Sequence, residues 1–237
     1  MLIRIKTYPK FKNKVPFQIQ NPPILQEKID NVWNDFIKDK QDFFNGDIFI
    51  VTDIINNNDK YTLEIAKTKY ADLVYSRKTQ ALTRRSLFSA ILLETKDNYY
   101  VIVKDRRNKL NLLGGLASDE DFTNNNYNPT LCLKRELKEE INLDLEDKNI
   151  ILDYAPIFLK IPVNEKAAMY TIGIIYTATL NYTKDELNNY FNNNKNNFDN
   201  EINELLYCTK NNYKEIKDFV DTRKYIFEAL EILLEEK

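Results

Sequence analysis

Residues 112–147 read LLGGLASDEDFTNNNYNPTLCLKRELKEEINLDLED, and their reading decides that of the rest of the chain. The right-hand half predicts a helix. Leu133, Leu137 and Ile141 recur every fourth residue and form one apolar stripe. Asn128 is placed to cap it and Pro129 suits its first position. Asn142 follows where a left-handed residue often ends a helix, and Asn is the best choice after Gly. Glu136, Glu139 and Glu140 fall at i, i+3 and i+4, so their carboxylates converge on one side. Arg135, four residues before Glu139, is within reach of an ion pair. Clustered carboxylates repel one another unless a cation compensates, and an all-oxygen set suits a hard ion such as Mg²⁺. The left-hand half places two of the chain's 4 glycines side by side, Gly114 and Gly115. They are read as a turn after a predicted strand, and the Asn-rich segment beyond them as a solvated loop. Taken singly, a charged helix face is ordinarily solvent surface and a Gly-Gly pair ordinarily a turn.

The flanks supply strands. SLFSAILLET (86–95) and YYVIVKDRR (99–107) predict a hairpin across KDN. IILDYAPIFLKIPV and MYTIGIIYTATL predict two more strands joined by NEKAA, KDELNNYFNNN a helix, INELLYCT a last strand. RKYIFEALEILLEE predicts a closing helix with Ile226, Leu230 and Leu233 on one face. Before residue 86, LIRIKTY predicts a strand, and NPPILQEKIDNVWNDFIKDK a helix striped by Ile24, Ile29, Val32, Trp33 and Phe36. FNG (44–46) predicts a turn, DIFIVTDI and YTLEIAKT a strand pair around NNNDK, and KYADLVYSR a short helix. The expected organisation is an amino-terminal α/β unit over 1–85 and a main domain over 86–237.

Composition narrows the classes of function. Net charge is -2 and the pI about 5.5, which disfavours a broad polyanion-binding surface and so nucleic acid as a partner. No apolar run reaches the roughly 18 residues of a membrane span, and MLIRIKTYPKF lacks the apolar core of a signal peptide. Two cysteines are too few for a disulfide framework, so a cytoplasmic location is expected. The absence of histidine removes Ser-His and Cys-His pairs, His-bound zinc and a histidine general base together. Hydrolytic chemistry would then rest on carboxylates, Lys, Tyr or metal-bound water.

The combination of GG and RELKEEINL resembles the Nudix hydrolase family, whose box reads G-x5-E-x7-R-E-U-x-E-E-x-G-U with U aliphatic. Arg135 to Leu143 matches the second half at every fixed position except Asn142, which stands for the last Gly. The family has fourteen positions from its Gly to its Arg. Here Gly115 to Arg135 spans 135 − 115 = 20, so six extra residues lie in the loop, where added length costs little. The family's early Glu falls on Asp121, beside Glu120, when counted from Gly115, and on Tyr127 when counted back from Arg135.

The resemblance covers about residues 86–210. It implies a Nudix-type α/β/α sandwich around a mixed sheet, preceded by the small α/β unit. It also implies Mg²⁺ or Mn²⁺ held by Glu136, Glu139 and Glu140 with a backbone carbonyl near Gly115, and Arg135 orienting the carboxylates. The family cleaves a nucleoside diphosphate linked to another group. Trp33, FNG (44–46) and KTKYADL (67–73) resemble the leading segment of the UDP-sugar diphosphatase branch, which would make a UDP-sugar the substrate and UMP plus sugar 1-phosphate the products. ADP-ribose hydrolysis, mRNA decapping and an inactive nucleotide sensor are the rival functions. Trp33 and Phe44 also suit plain core roles. Arg106 and Arg107 are candidate phosphate binders. Glu201 is the expected further catalytic carboxylate, with Glu204 and Glu165 as rivals for the general base. The basic run 77–85 reads as a linker, and Cys132 as a small core residue. A membrane partner is not expected, and a homodimer is compatible with these features.

Overall fold

The computed structural model describes residues 1–38, 44–161, 171–195, 201–215 and 224–236. In chain order the elements are β1 (Leu2–Arg4), β2 (Lys10–Gln18), α1 (Pro23–Ile37), β3 (Asp47–Asn57), β4 (Lys60–Lys69) and α2 (Tyr70–Thr79). Next come β5 (Arg85–Glu94), β6 (Tyr100–Asp105), β7 (Leu110–Asn111), β8 (Leu113–Leu116), a 3₁₀ turn (Asp119–Asp121), β9 (Phe122–Thr123), β10 (Asn126–Tyr127) and α3 (Pro129–Ile141). The chain continues through β11 (Ile151–Lys160), β12 (Ile172–Leu180), α4 (Lys184–Asn194), β13 (Ile202–Cys208) and α5 (Lys224–Glu235). The turn at 164–168 and Glu165 lie outside the described residues.

Strand β5 explains the layering. It is apolar on both faces, as a strand covered on both sides must be. Leu87, Ile91 and Leu93 point into one core with Cys132, Leu133, Leu137 and Ile141 of α3 and with Leu187 and Phe191 of α4. Phe88, Ala90 and Leu92 point into the other with Ile226, Ala229, Leu230 and Leu233 of α5. Alternation along one strand therefore separates two cores. The fold is mixed α/β, a sheet sandwiched between helices.

The sheet runs β1-β11-β12-β5-β3-β4-β2, with β8 and β6 also pairing with β5, and β13 and β7 with β6. β12 lies parallel to β5 and β2 parallel to β4, while the other pairs are antiparallel. Ile50 opposite Ser86 joins β3 to β5, so strands from both sides of residue 85 share one sheet. The β3–β4 hairpin turns at Asn58 and Asp59, both at positive φ (51° and 63°), the requirement of a tight two-residue loop. No helix among the described residues is long and apolar enough to cross a membrane.

Several expectations are corrected. Only Leu2–Arg4 of LIRIKTY forms a strand, and the edge strand β2 was not foreseen. In α1, Ile29 and Trp33 are buried, but Ile24 is 73% exposed and Leu25 packs inward instead. Phe44 is exposed rather than core. The run 77–85 is no simple linker: it ends α2 and begins β5, and the largely buried Arg84 faces buried Asp72 at 3.8 Å.

The Asn-rich segment is only partly solvated. Asn124 and Asn125, at φ 50° and 62°, turn an exposed hairpin tip between β9 and β10. On either side, Asp121 and Tyr127 are buried, and Tyr127 Oη shares a hydrogen bond of 2.8 Å with Ser89 Oγ. Any contiguous deletion of six residues within 118–128 removes one of the two. Each such deletion is expected to lower the melting temperature. The double change Asn124→Gly and Asn125→Gly, which relieves positive φ, should not. Differential scanning fluorimetry of the deletions and the double variant checks both, and an unchanged transition in a deletion would refute the packing role.

Candidate active site

The glycine pair is not a turn but the middle of β8. Gly114 has φ +130°, a conformation for glycine, and a Cβ there would lie 2.3 Å from the Ser89 carbonyl oxygen. A Cβ on Gly115 would lie 2.1 Å from Glu136 Oε1. The two glycines let β8 press against β5 on one side and admit a helix carboxylate on the other.

Helix α3 begins as its sequence dictates: Asn128 Oδ1 accepts from Thr130 N at 3.1 Å, with Pro129 in the first turn. It ends at Asn142, φ 55°, whose N–H returns to the Leu137 and Lys138 carbonyls. Its apolar stripe is fully buried, so the opposite arc carrying Glu136, Glu139 and Glu140 is fixed over β8. These three, with Gly114, Gly115, Leu116, Tyr70, Asp105, Arg106, Arg107 and Glu201, line a cleft of about 510 Å³. A side cavity of about 170 Å³ adjoins it, lined in part by Asn111, Glu140 and Glu201.

Arg135 lies behind this wall. Its Nη1 donates to Glu136 Oε1 at 2.7 Å and to Glu139 Oε2 at 3.2 Å. Its Nη2 donates to the Leu116 carbonyl and to Asp121 Oδ2, each at 3.1 Å, and its Nε to Asp121 Oδ1 at 3.3 Å. Asp121 is buried and also accepts from Ser118 N at 2.8 Å. The arginine thus ties the helix to β8 and to the 3₁₀ turn. Asp121 was not among the expected site residues; the signal for it was the count from Gly115, which ends there. Cys132 is buried, its thiol 3.6 Å from the Gly115 carbonyl oxygen, and burial raises its pKa.

The second wall is the β6–β7 hairpin tip. Asp105 accepts from Arg107 N at 2.8 Å, Lys109 N at 2.9 Å and Arg107 Nη2 at 2.9 Å. Burial opposes ionisation of Asp105, but these donors prevail and lower its pKa. Arg106 N donates to the Glu201 carbonyl at 2.9 Å, which ties the arginine tip to the start of β13. Glu201 is exposed and faces the cleft. Glu204 lies within β13, is half exposed, pairs with Lys104 at 3.7 Å and does not line the cleft.

The electrostatics are unfavourable to the protein alone. Burial pushes Glu136 up to about 7 in spite of Arg135, and repulsion from Glu139 adds to the rise. Burial pushes Glu140 up to about 8 in spite of the Gly114 N–H, 2.8 Å from its Oε2, with Glu136 and Glu201 adding repulsion. Such desolvated, mutually repelling oxygen donors fit a hard divalent cation. Among the described residues no three acidic or thiol side chains already surround a common point. The carboxylates are instead turned towards Arg135 and Gly114 N.

Both carboxylates bind protons more tightly folded than unfolded, so their ionisation is paid for by the fold above about pH 4.5. Metal-free protein is expected to lose stability as pH rises from about 5 to about 8. Melting curves in chelator across that range check it, and a rising melting temperature would contradict the burial of these groups.

No protein-family model matches the chain, and no curated protein matches it significantly. Among solved structures, it is similar to DR0079 of Deinococcus radiodurans at 12% identity and TM-score 0.47, over 78% of this chain and 99% of that one. It is similar to a MutT protein of Methanosarcina mazei Go1 at 12% identity and TM-score 0.39, over 64% and 94%. A third likeness is to a bifunctional NMN adenylyltransferase/ADP ribose pyrophosphatase of Francisella tularensis complexed with AMP and a Mn ion. Identity there is 17% and TM-score 0.42, over 70% of this chain and 49% of that one. At these TM-scores the overlaps are too loose to bear on activity.

Proposed function

We propose that the chain is a Nudix-type diphosphohydrolase that uses a divalent cation to cleave a nucleoside diphosphate linked to a second group. The observation that carries this is one cleft lined by three helix carboxylates at i, i+3 and i+4 and by two arginines. Glu136, Glu139 and Glu140 would hold Mg²⁺ or Mn²⁺, with the Gly115 carbonyl as a further donor. Bound there, such an ion supplies charge neutralisation of the diphosphate and a more acidic water.

The chain's own residues do the rest. Arg135 keeps Glu136 and Glu139 oriented and is itself held by Asp121. Arg106 and Arg107 receive phosphate oxygens, and Asp105 fixes the turn that presents them. Glu201 accepts the proton of the attacking water as the bond between the two phosphates breaks.

A UDP-sugar is the proposed substrate, with UMP and sugar 1-phosphate as products. Its support is the likeness of Trp33, FNG and KTKYADL to the UDP-sugar branch, and a net charge of -2, ill suited to a long polyanion. A cleft of about 510 Å³ accommodates a ligand of nucleotide size. The test is product analysis with Mg²⁺ or Mn²⁺ on UDP-glucose, UDP-galactose, ADP-ribose, dinucleoside polyphosphates and capped RNA at matched concentrations. UMP and sugar 1-phosphate are expected. Release of the cap nucleotide with UDP-sugars untouched would replace this reading with decapping, and nucleotide binding without turnover would replace it with a sensor.

A further inference from the structure

Tyr70 is the one aromatic residue among the described residues that line the cleft. It comes from outside residues 112–147, at the first position of α2. Its placement is closely determined. Tyr70 N donates to the Gly46 carbonyl at 2.9 Å. Ala71 N donates to Asn45 Oδ1 at 2.8 Å, so Asn45 caps a helix whose preceding residue, Lys69, gives no side-chain cap. The ring meets Trp33 edge-on, centroids 6.1 Å apart and planes at 87°. Trp33 is in turn buried against Ile29, Ala71, Val74 and Tyr75. Trp33, Asn45, Gly46 and Tyr70 are residues of the Trp33, FNG and KTKYADL segments, which the cation and phosphate sites leave without a role. In three dimensions they converge on the start of α2.

We infer that Tyr70 is a substrate-binding residue: its ring packs against the base of a nucleoside diphosphate held in this cleft, and Trp33, Asn45 and Gly46 set its position. This rests on the diphosphohydrolase reading. Carboxylates and arginines engage only the charged part of such a ligand, and the cleft is larger than a diphosphate requires. A planar base gains from a ring beside it whatever its identity, because every base has a π face. A ring already anchored by backbone bonds and by Trp33 loses little freedom when the base arrives.

The experiment compares wild-type protein with Tyr70→Ala, Tyr70→Leu and Tyr70→Phe. Calorimetry with Mg²⁺ present gives Kd for UMP, AMP and ribose 5-phosphate, the last having a phosphate and a sugar but no base. Kinetics on UDP-glucose give KM and kcat separately. Alanine and leucine are expected to weaken UMP and AMP on the order of ten-fold while ribose 5-phosphate binding holds. They should raise KM more than they lower kcat, and phenylalanine should rescue both. Leucine keeps apolar bulk against Trp33, so it serves if the alanine variant does not fold. Equal losses for all three ligands would make Tyr70 structural only, and undiminished UMP binding in the leucine variant would remove it from the site; either overturns the inference alone. Wild-type protein that binds no nucleotide overturns the diphosphohydrolase reading as well.

Discussion

Glu140→Gln is expected to abolish hydrolysis while leaving the fold intact. Glu140 is buried where the cleft adjoins its side cavity, and its Oε2 accepts from Gly114 N at 2.8 Å. Glutamine keeps an acceptor for that N–H, so β8 and α3 stay joined. What is lost is a negative charge among oxygen donors that would hold the cation. Removing groups that merely orient a metal ligand costs roughly 10 to 100-fold, and a ligand itself should cost more. The same substitution should leave the metal-free melting temperature at pH 8 unchanged or higher. A carboxylate whose pKa has been pushed up to about 8 costs the folded state stability wherever it is forced to ionise. Turnover on the best substrate, read beside melting curves in chelator, tests both halves. Glu204→Gln, off the cleft and paired with Lys104, is the control expected to stay active. Full activity in Glu140→Gln would end the assignment of the carboxylate wall.

Asp121→Ala is expected to have the largest effect on stability. Asp121 is buried and accepts from Ser118 N as well as from the Arg135 guanidinium, whose side chain is itself only 19% exposed. Removing one partner of a buried pair strands the other. The cost is put at about 3 kcal/mol, the low end of the usual range, because Arg135 keeps Glu136 and Glu139. For a chain of this length that corresponds to roughly 2–4 °C in melting temperature per kcal/mol. Activity should fall with it, since an arginine released from Asp121 no longer holds two of the wall carboxylates in register. Asp121→Asn, which keeps an acceptor for Ser118 N but loses the charge, should lie between. An unchanged melting temperature in the alanine variant would show that Arg135 needs no such anchor.

What the sequence determined by itself is local. Leu133, Leu137 and Ile141 four residues apart define which face of α3 is buried, and so which face carries Glu136, Glu139 and Glu140. Asn128, Pro129 and Asn142 bound the helix because capping and left-handed geometry depend on the residue and its nearest neighbours. The Asn58–Asp59 tip and the strand character of the apolar run SLFSAILLET are legible for the same reason: strand-forming runs and turn chemistry act over a few residues. Tertiary structure decided what depends on approach between distant segments. Gly114 and Gly115 lie in a strand because β8 pairs with β5, and they must be glycine because Ser89 and Glu136, both distant in sequence, leave no room for a Cβ. Leu25 rather than Ile24 faces inward because α1 is turned by its packing on α2. β2, interrupted by Pro16, is held by its parallel neighbour β4 and by Phe11 and Phe17, which pack against the core. Asp121 reaches Arg135 across an insertion of no fixed length, and Tyr70 reaches the cleft from a separate helix. Side chains at i and i+4 meet through the helix itself, whereas those meetings require the whole sheet to have closed.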